Sequence, residues 1–370
     1  MEDLIMAVKE TMMDYIKETS IIGKANTEAA EEIVAPLVNE FLKKEYKKIV
    51  IIASGSSNNA ATTARLYMEK SLNMDVKVVT PFTFEHYDHR LTEDTFVFGI
   101  TQSGRSTNTI SALEKVKKLG REAIALTGFP ESEVKNHCDV VIDFKVGIET
   151  VGYVTKGYVM TVLYLTLFAL MASKKLNLKT ENEVAKDIKQ ILDAFSIHPE
   201  AVQKSIEFYN KHKEIFTRMK RLQICGYGPN FGTAVEGALK ISETFGIPAS
   251  PYEIEEFMHG GYLELTPEHV VVLINSGGAG SQRTLEVYNA LHIITQNVFM
   301  IGSFDLPEED KILRIKHNID EWFNTLFLVV PFQVLAHMIC TDLDIWGKAE
   351  EIIKFENAIK SKTEKPDYLQ

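Results

Sequence analysis

The sequence predicts an α/β fold of two parallel-sheet units in tandem, on three observations. Short apolar strands alternate with helices from "KKIVIIASG" to "CDVVIDF" and again from "LQICGYG" onward. That alternation marks βαβ units around a mainly parallel sheet. Gly/Ser turns recur at a fixed offset: Gly55 and Gly228 are 173 residues apart, as are Ser103-Gly104 and Ser276-Gly277, and "FTFEHYDH" around His86 matches "IEEFMHGG" around His259. A charge-laced helical stretch over 176–220 separates the two rhythms. A repeat of this length points to internal duplication. The predicted units are an N-terminal helix 1–21, a first domain 22–195, a second domain 196–345 and a C-terminal tail 346–370.

The elements follow in order. Helices are predicted over about 1–20 and 27–45. "KKIVIIASGSSNNAATTARLYMEK" reads strand, turn, helix; "MDVKVVTP" is a second strand and "TFVFGI" a third, followed by a helix over 105–119. "EAIALTG" and "CDVVIDF" complete five strands. The most apolar run, "GYVMTVLYLTLFALMAS" (157–173), is at the short limit for crossing a bilayer. It is read as a helix buried against a sheet or a partner subunit.

Composition narrows the function classes. The chain has 370 residues, 45% apolar and 25% charged, enough for a sizeable core. A net charge of −11 argues against nucleic acid or an anionic membrane as partner. A small anion remains compatible, because a local nest of backbone N–H groups can override net charge. Three scattered cysteines, Cys138, Cys225 and Cys340, fit reduced thiols. With no signal-peptide pattern at the start, they suggest a cytoplasmic protein.

The turn "TQSGRS" is the first candidate site. Thr101, Ser103, Ser106 and Thr107 offer hydroxyls, Gln102 an amide, and Gly104 a close backbone approach. The turn lies between a strand's C-terminal end and a helix N-terminus, where N–H groups and the helix dipole favour an anion. Ser56 and Ser57, after the neighbouring strand, close the other side. Neither a Walker loop nor a dinucleotide fingerprint is present. Hydroxyls without a lysine suit one phosphate monoester. The second-copy turn, "NSGGAGS", has fewer hydroxyls and is expected to serve another use. No cofactor is expected.

The second candidate lies in "AVEGALKISETFG". Glu236, Lys240 and Glu243 share one helix face at i, i+4 and i+7. The same spacing suits a solvated salt-bridged stripe, with Val235, Ala238, Leu239 and Ser242 to the other side. His259 follows, before Gly260-Gly261 and among Glu253, Glu255, Glu256 and Glu264. Neither "EHYDH" nor "EEFMH" has metal-ligand spacing, and no G-x-S-x-G elbow appears.

With "ASGSS", "TQSGRS", "ETVGYVTKG", "VEGALKISE" and "EEFMHG", the chain resembles the sugar isomerase (SIS) family over nearly its whole length. It is most similar to the isomerase half of glutamine:fructose-6-phosphate aminotransferase and to the phosphosugar–amine deglycases. His259 stands sixteen residues beyond Glu243, the interval of that family. The resemblance implies two SIS domains, each a five-stranded parallel sheet flanked by helices in three αβα layers, flavodoxin-like. It implies a homodimer or higher even oligomer with a shared active site. Phosphate would be held by Ser56, Ser57, Thr101, Gln102, Ser103 and Ser106. Glu243 resembles the carboxylate base acting between C1 and C2, and His259 the residue that assists ring opening, often from the partner subunit. Glu236 and Lys240 would support them.

The chain also departs from that pattern. No glutaminase domain or N-terminal cysteine precedes the pair, so glutamine hydrolysis is not expected. "NAIKSKTEKPDYLQ" gives no clear match to the family's C-terminal lysine segment. Arg105 replaces the glutamate of the "SGET" turn and either adds charge to the anion site or faces solvent. These departures favour a phosphosugar–amine deglycase that cleaves a hexose 6-phosphate–amine adduct such as fructoselysine or glucoselysine 6-phosphate. The alternatives are an aldose–ketose isomerase or deaminase acting on glucosamine or fructose 6-phosphate, and a non-catalytic module that binds a sugar phosphate.

Overall fold

The computed structural model describes residues 11–147, 149–303 and 306–364. The first ten residues of the predicted N-terminal helix and the last six of the tail lie outside the described residues.

The first unit runs α1 (Met12–Glu28), α2 (Ala30–Phe41), β1 (Lys48–Ala53), α3 (Gly55–Leu72), β2 (Asp75–Val79), α4 (Pro81–His86), β3 (Thr95–Ile100), α5 (Thr107–Lys118), β4 (Ile124–Thr127), β5 (Val140–Asp143) and α6 (Lys156–Lys175). The helix α7 (Glu181–Arg218) follows, with non-helical backbone at His212. The predicted boundary at 195/196 falls within α7, the helix that occupies most of the charge-laced stretch between the two sheets. The second unit is β6 (Leu222–Gly226), α8 (Asn230–Phe245), β7 (Ala249–Glu253), β8 (Val270–Asn275), α9 (Ser281–Leu291), β9 (Val298–Gly302), β10 (Ile312–Arg314), α10 (Thr325–Leu328) and α11 (Val330–Leu343). A last helix, α12 (Glu350–Ile359), lies in the tail.

Both sheets have five parallel strands, ordered β2-β1-β3-β4-β5 and β10-β9-β8-β6-β7. These are the same order, read from opposite edges. The repeat predicted from the 173-residue offset holds in detail. Gly55 and Gly228 each stand two residues past the first strand of their sheet, at φ +56° and +53°. Gly104 and Gly277 each follow the third strand, at φ +63° and +79°.

Period-2 burial builds the layers. Ile49, Ile51 and Ala53 of β1 enter a central core that also takes residues of the second sheet, while Val50 and Ile52 face an outer cluster under α5. The predicted apolar helix is α6, whose residues from Lys156 to Ser173 are buried. It packs against α1, α2 and α3, so its apolar girth meets protein on every side. The two units meet where α8 crosses α3. A Cβ on Gly232 would lie 2.8 Å from the Thr63 backbone, so only glycine allows this approach.

Candidate active site

The α3–α8 contact assembles the first half of the site. Ser56, Asn59 and Thr63 lie along one face of α3 at i, i+3 and i+7, and Glu236 faces them from α8. Ser56 Oγ donates to Glu236 Oε1 at 2.9 Å, and Asn59 Nδ2 donates to Glu236 Oε2 at 2.9 Å. Lys240 Nζ stands 3.2 Å from Glu236 and 2.5 Å from Glu243, and also donates to the Val154 carbonyl. Glu236 and Lys240 are fully buried, which removes the solvated-stripe reading of this helix. On the other side Ala238 is buried, while Val235, Leu239 and Ser242 are half-buried. Glu243 opens toward solvent at the end of the row.

The charges in this row depend on one another. Burial pushes the Glu236 carboxyl above its ordinary range, and Lys240 with the Asn59 and Ser56 bonds offsets part of the shift. Burial opposes the charge of Lys240, yet the attraction of Glu236 and Glu243 outweighs it and holds its pKa above normal. Removing one member of such a row strands a buried charge, at a typical cost of about 3–5 kcal/mol.

The turn after β3 forms the second half. Gly104, at φ +63°, lies so close to Ser132 that a side chain would collide with it. Ser103 and Ser57 are half-buried, and no side-chain hydrogen bond occupies either among the described residues. Thr101 is buried at the strand end. Ser106 stands at the N-cap of α5 and donates to Asn108 Oδ1 at 2.9 Å. The Gln102 side chain is held by Glu149, with its amide donating to Glu149 Oε2 at 2.8 Å.

Sequence reasoning did not single out Glu149, Asn59 or the tail as parts of the site. Glu149 accepts backbone N–H groups of Thr155 (2.8 Å), Lys156 (2.9 Å) and Gly157 (3.1 Å). It therefore caps α6 while holding Gln102. The "ETVGYVTKG" segment thus links the hydroxyl turn, through Gln102, to the charged row, through Val154 and Lys240. A clue existed in an acid seven residues before the helix start, but its partner is 47 residues away. Helical spacing from Ser56 would have found Asn59.

The tail reaches this site although its sequence gave no clear family match. Lys362 pairs with Ser106 as an antiparallel bridge, Thr363 N donates to Arg105 O at 2.9 Å, and Thr107 N donates to Ser361 O at 3.1 Å. Arg105 is buried rather than facing solvent, and its guanidinium donates to the Thr363 carbonyl. Lys362 stays exposed, and crowding by neighbouring atoms, then the charge of Arg105, lowers its pKa.

His259 is not drawn into this cluster within one chain. It is exposed at the end of a short 3-10 turn, 256–259, with Glu255 as a charged neighbour. Its loop is positioned by the buried Phe257 and by Gly261, which packs against Tyr252.

Comparison with known proteins agrees with this architecture. The SIS domain pattern matches residues 42–171 and 215–297. The glutamine–fructose-6-phosphate aminotransferase of Nostoc sp. (strain PCC 9229) is 26% identical over 319 residues, covering 81% of this chain and 50% of that protein. The chain thus spans about half the length of that relative. A candidate phosphosugar isomerase from Clostridium difficile 630 superposes with a TM-score of 0.87 at 27% identity, over 96% of this chain and 99% of that one. Glucosamine-6-phosphate deaminase from Thermotoga maritima shares the fold at a TM-score of 0.70 and 20% identity, over 91% and 96% of the two chains. With two matched segments that together cover more than half its length, each on one of the duplicated sheets, the chain belongs to the SIS domain family.

Proposed function

We propose that this protein is a phosphosugar isomerase- or deaminase-type enzyme that moves a proton between C1 and C2 of a hexose 6-phosphate or amino-hexose 6-phosphate. The observation that carries this reading is the row Ser56–Glu236–Lys240–Glu243, which runs from the first turn of α3 to a carboxylate open to solvent. Ser103, Ser57, Thr101, Ser106 and the turn's backbone hold the phosphate, with Gln102 and Ser56 fixing the frame. Anchoring the phosphate places C1 and C2 at a set distance from Glu243. Glu243 removes the proton at one carbon and returns it to the other. Lys240 supplies positive charge beside the oxygen on which negative charge develops. With an amino sugar, the resulting imine takes up water and releases ammonia. His259 joins from a second copy of the chain, which fits its exposure and its separation from the row.

The names of the relatives favour isomerisation or deamination over the deglycase reading. That second reading keeps one specific support. Arg105 and Lys362 place two cationic groups beside the hydroxyl turn, which fits an adduct with a further carboxylate, as an amino acid would bring.

The test is deuterium wash-in. Glucosamine 6-phosphate, fructose 6-phosphate and fructoselysine 6-phosphate are each incubated in D2O and followed by NMR. Exchange at C1 or C2 is expected with the wild-type protein, and the product formed separates the chemistries. Glu243→Gln should slow exchange by about 10²–10⁴ while binding stays within a few-fold. Tight binding with no exchange of any substrate would leave only the sensor reading.

A further inference from the structure

The second sheet has its own switch point, and its chemistry differs from that of the first. The strand order reverses between β6 and β8, and open α/β sheets bind ligands in the crevice beyond such a point. The Gly-rich turns after β6 and β8 are the repeats of the first unit's turns. In the second unit a carboxylate lies across them. A Cβ built on Gly278 would be 2.8 Å from the Glu321 carboxyl carbon, and one on Gly228 would be 4.0 Å from Glu321 Oε2. An incoming phosphate would meet that carboxylate.

A crevice of about 580 Å³ opens here, lined by Lys70, Ser276, Ser303, His317, Glu321 and Trp322 among others. Three observations indicate what it accepts. No hydrogen bond or ion pair reaches the Glu321 carboxylate among the described residues. Burial first, and then the charge of Asp320, raises its pKa, with Lys70 partly offsetting. Ser276 is 2% exposed and its Oγ has no hydrogen-bond partner. Trp322 already carries a cation on its face, with Lys70 Nζ 4.4 Å from the ring centroid. A half-buried carboxylate without a donor, a buried hydroxyl without a partner and an indole face match an ammonium group carried on a polar body. A metal ion would find too few ligands, since no three His, Cys, Asp or Glu side chains converge among the described residues.

We propose that this crevice of the second domain is a binding site for a small polar molecule bearing a primary ammonium group, with Glu321 as its anionic anchor and Trp322 as its wall. The site is separate from the hydroxyl turn of the first domain and does not depend on the reaction proposed there. Two sources share this chemistry, an amino sugar and an amino acid, and the probes below distinguish them.

The chain has two tryptophans, so Trp346→Phe leaves Trp322 as the sole indole reporter. This variant is titrated with glucosamine, lysine, glucose and inorganic phosphate while indole fluorescence is followed. A saturable change is expected with glucosamine or lysine, whichever fits, and none with glucose or phosphate. Adding Glu321→Gln should weaken that binding about ten-fold or more, as loss of a charge-assisted bond does. An excess of fructose 6-phosphate, which fills the first-domain site and carries no ammonium group, should leave it unchanged. The proposal is overturned if neither amine gives saturation, or if glucose binds as well as glucosamine. It is equally overturned if Glu321→Gln binds normally, or if fructose 6-phosphate abolishes the signal and so assigns it to the first domain.

Discussion

Ser56 Oγ and Glu236 Oε1 are 2.9 Å apart in space and 180 residues apart in the chain. This hydrogen bond joins the first turn of α3, in the first domain, to α8 of the second. It gives the buried Glu236 one of its partners and ties the charged row of α8 to α3. The candidate site therefore lies at the domain interface, among the contacts between α3 and α8 that hold the two units together.

Ser56 and Glu236 should be energetically coupled. In a double-mutant cycle by urea unfolding, Ser56→Ala and Glu236→Gln should depart from additivity by about 1 kcal/mol or more, within the range for contacting polar groups. Additivity within about 0.3 kcal/mol would mean that the bond contributes little to the interface.

Ser103→Ala should raise KM for a hexose 6-phosphate about ten-fold or more, because a charge-assisted bond to phosphate is typically worth about 1.5–3 kcal/mol. Residual turnover of the unphosphorylated sugar should not change. Equal losses on both sugars would place Ser103 outside the phosphate contact.

Glu149 should act as a positioning residue. Glu149→Ala removes the acceptor for Gln102 and for three N–H groups at the start of α6. The expected kinetic signature is a KM rise of about ten-fold with kcat within about three-fold, the pattern of lost binding rather than lost chemistry. Gln102→Ala should reproduce part of that rise. A fall in kcat with KM unchanged would refute the positioning role.

His198 should make the fold acid-sensitive. It is fully buried on α7, neither ring nitrogen has a hydrogen-bond partner, and burial lowers its pKa to about 4. The folded state therefore resists a proton that the unfolded chain accepts below its ordinary pKa of about 6.5. Its contribution to stability is complete above that value and is lost as the pH falls toward and through about 4. The loss approaches about 1.4 kcal/mol per pH unit in this window. Between pH 7 and pH 5 the urea midpoint of the wild type should fall by more than that of His198→Leu. Parallel pH dependence in the two would refute this.

The amino-acid pattern alone settles the strands, the turns and the duplication. Short apolar runs such as "TFVFGI" can be strands wherever they fall, and Gly55, Gly104, Gly228 and Gly277 mark turns because their positive φ is a local steric matter. It also placed Ser103, Ser106 and Ser57 at strand ends, and Glu236, Lys240 and Glu243 on one helix face. Which way that face points is settled by the packing of α8 against α3. Periodicity states which side chains travel together, and the burial of Glu236 and Lys240 follows from Ser56 and Asn59, which offer hydrogen bonds on α3. The turning of Gln102 toward Glu149 and the seating of 361–363 on the hydroxyl turn were likewise decided in three dimensions. Each is a polar contact between residues far apart in the chain, and no local propensity encodes such a contact.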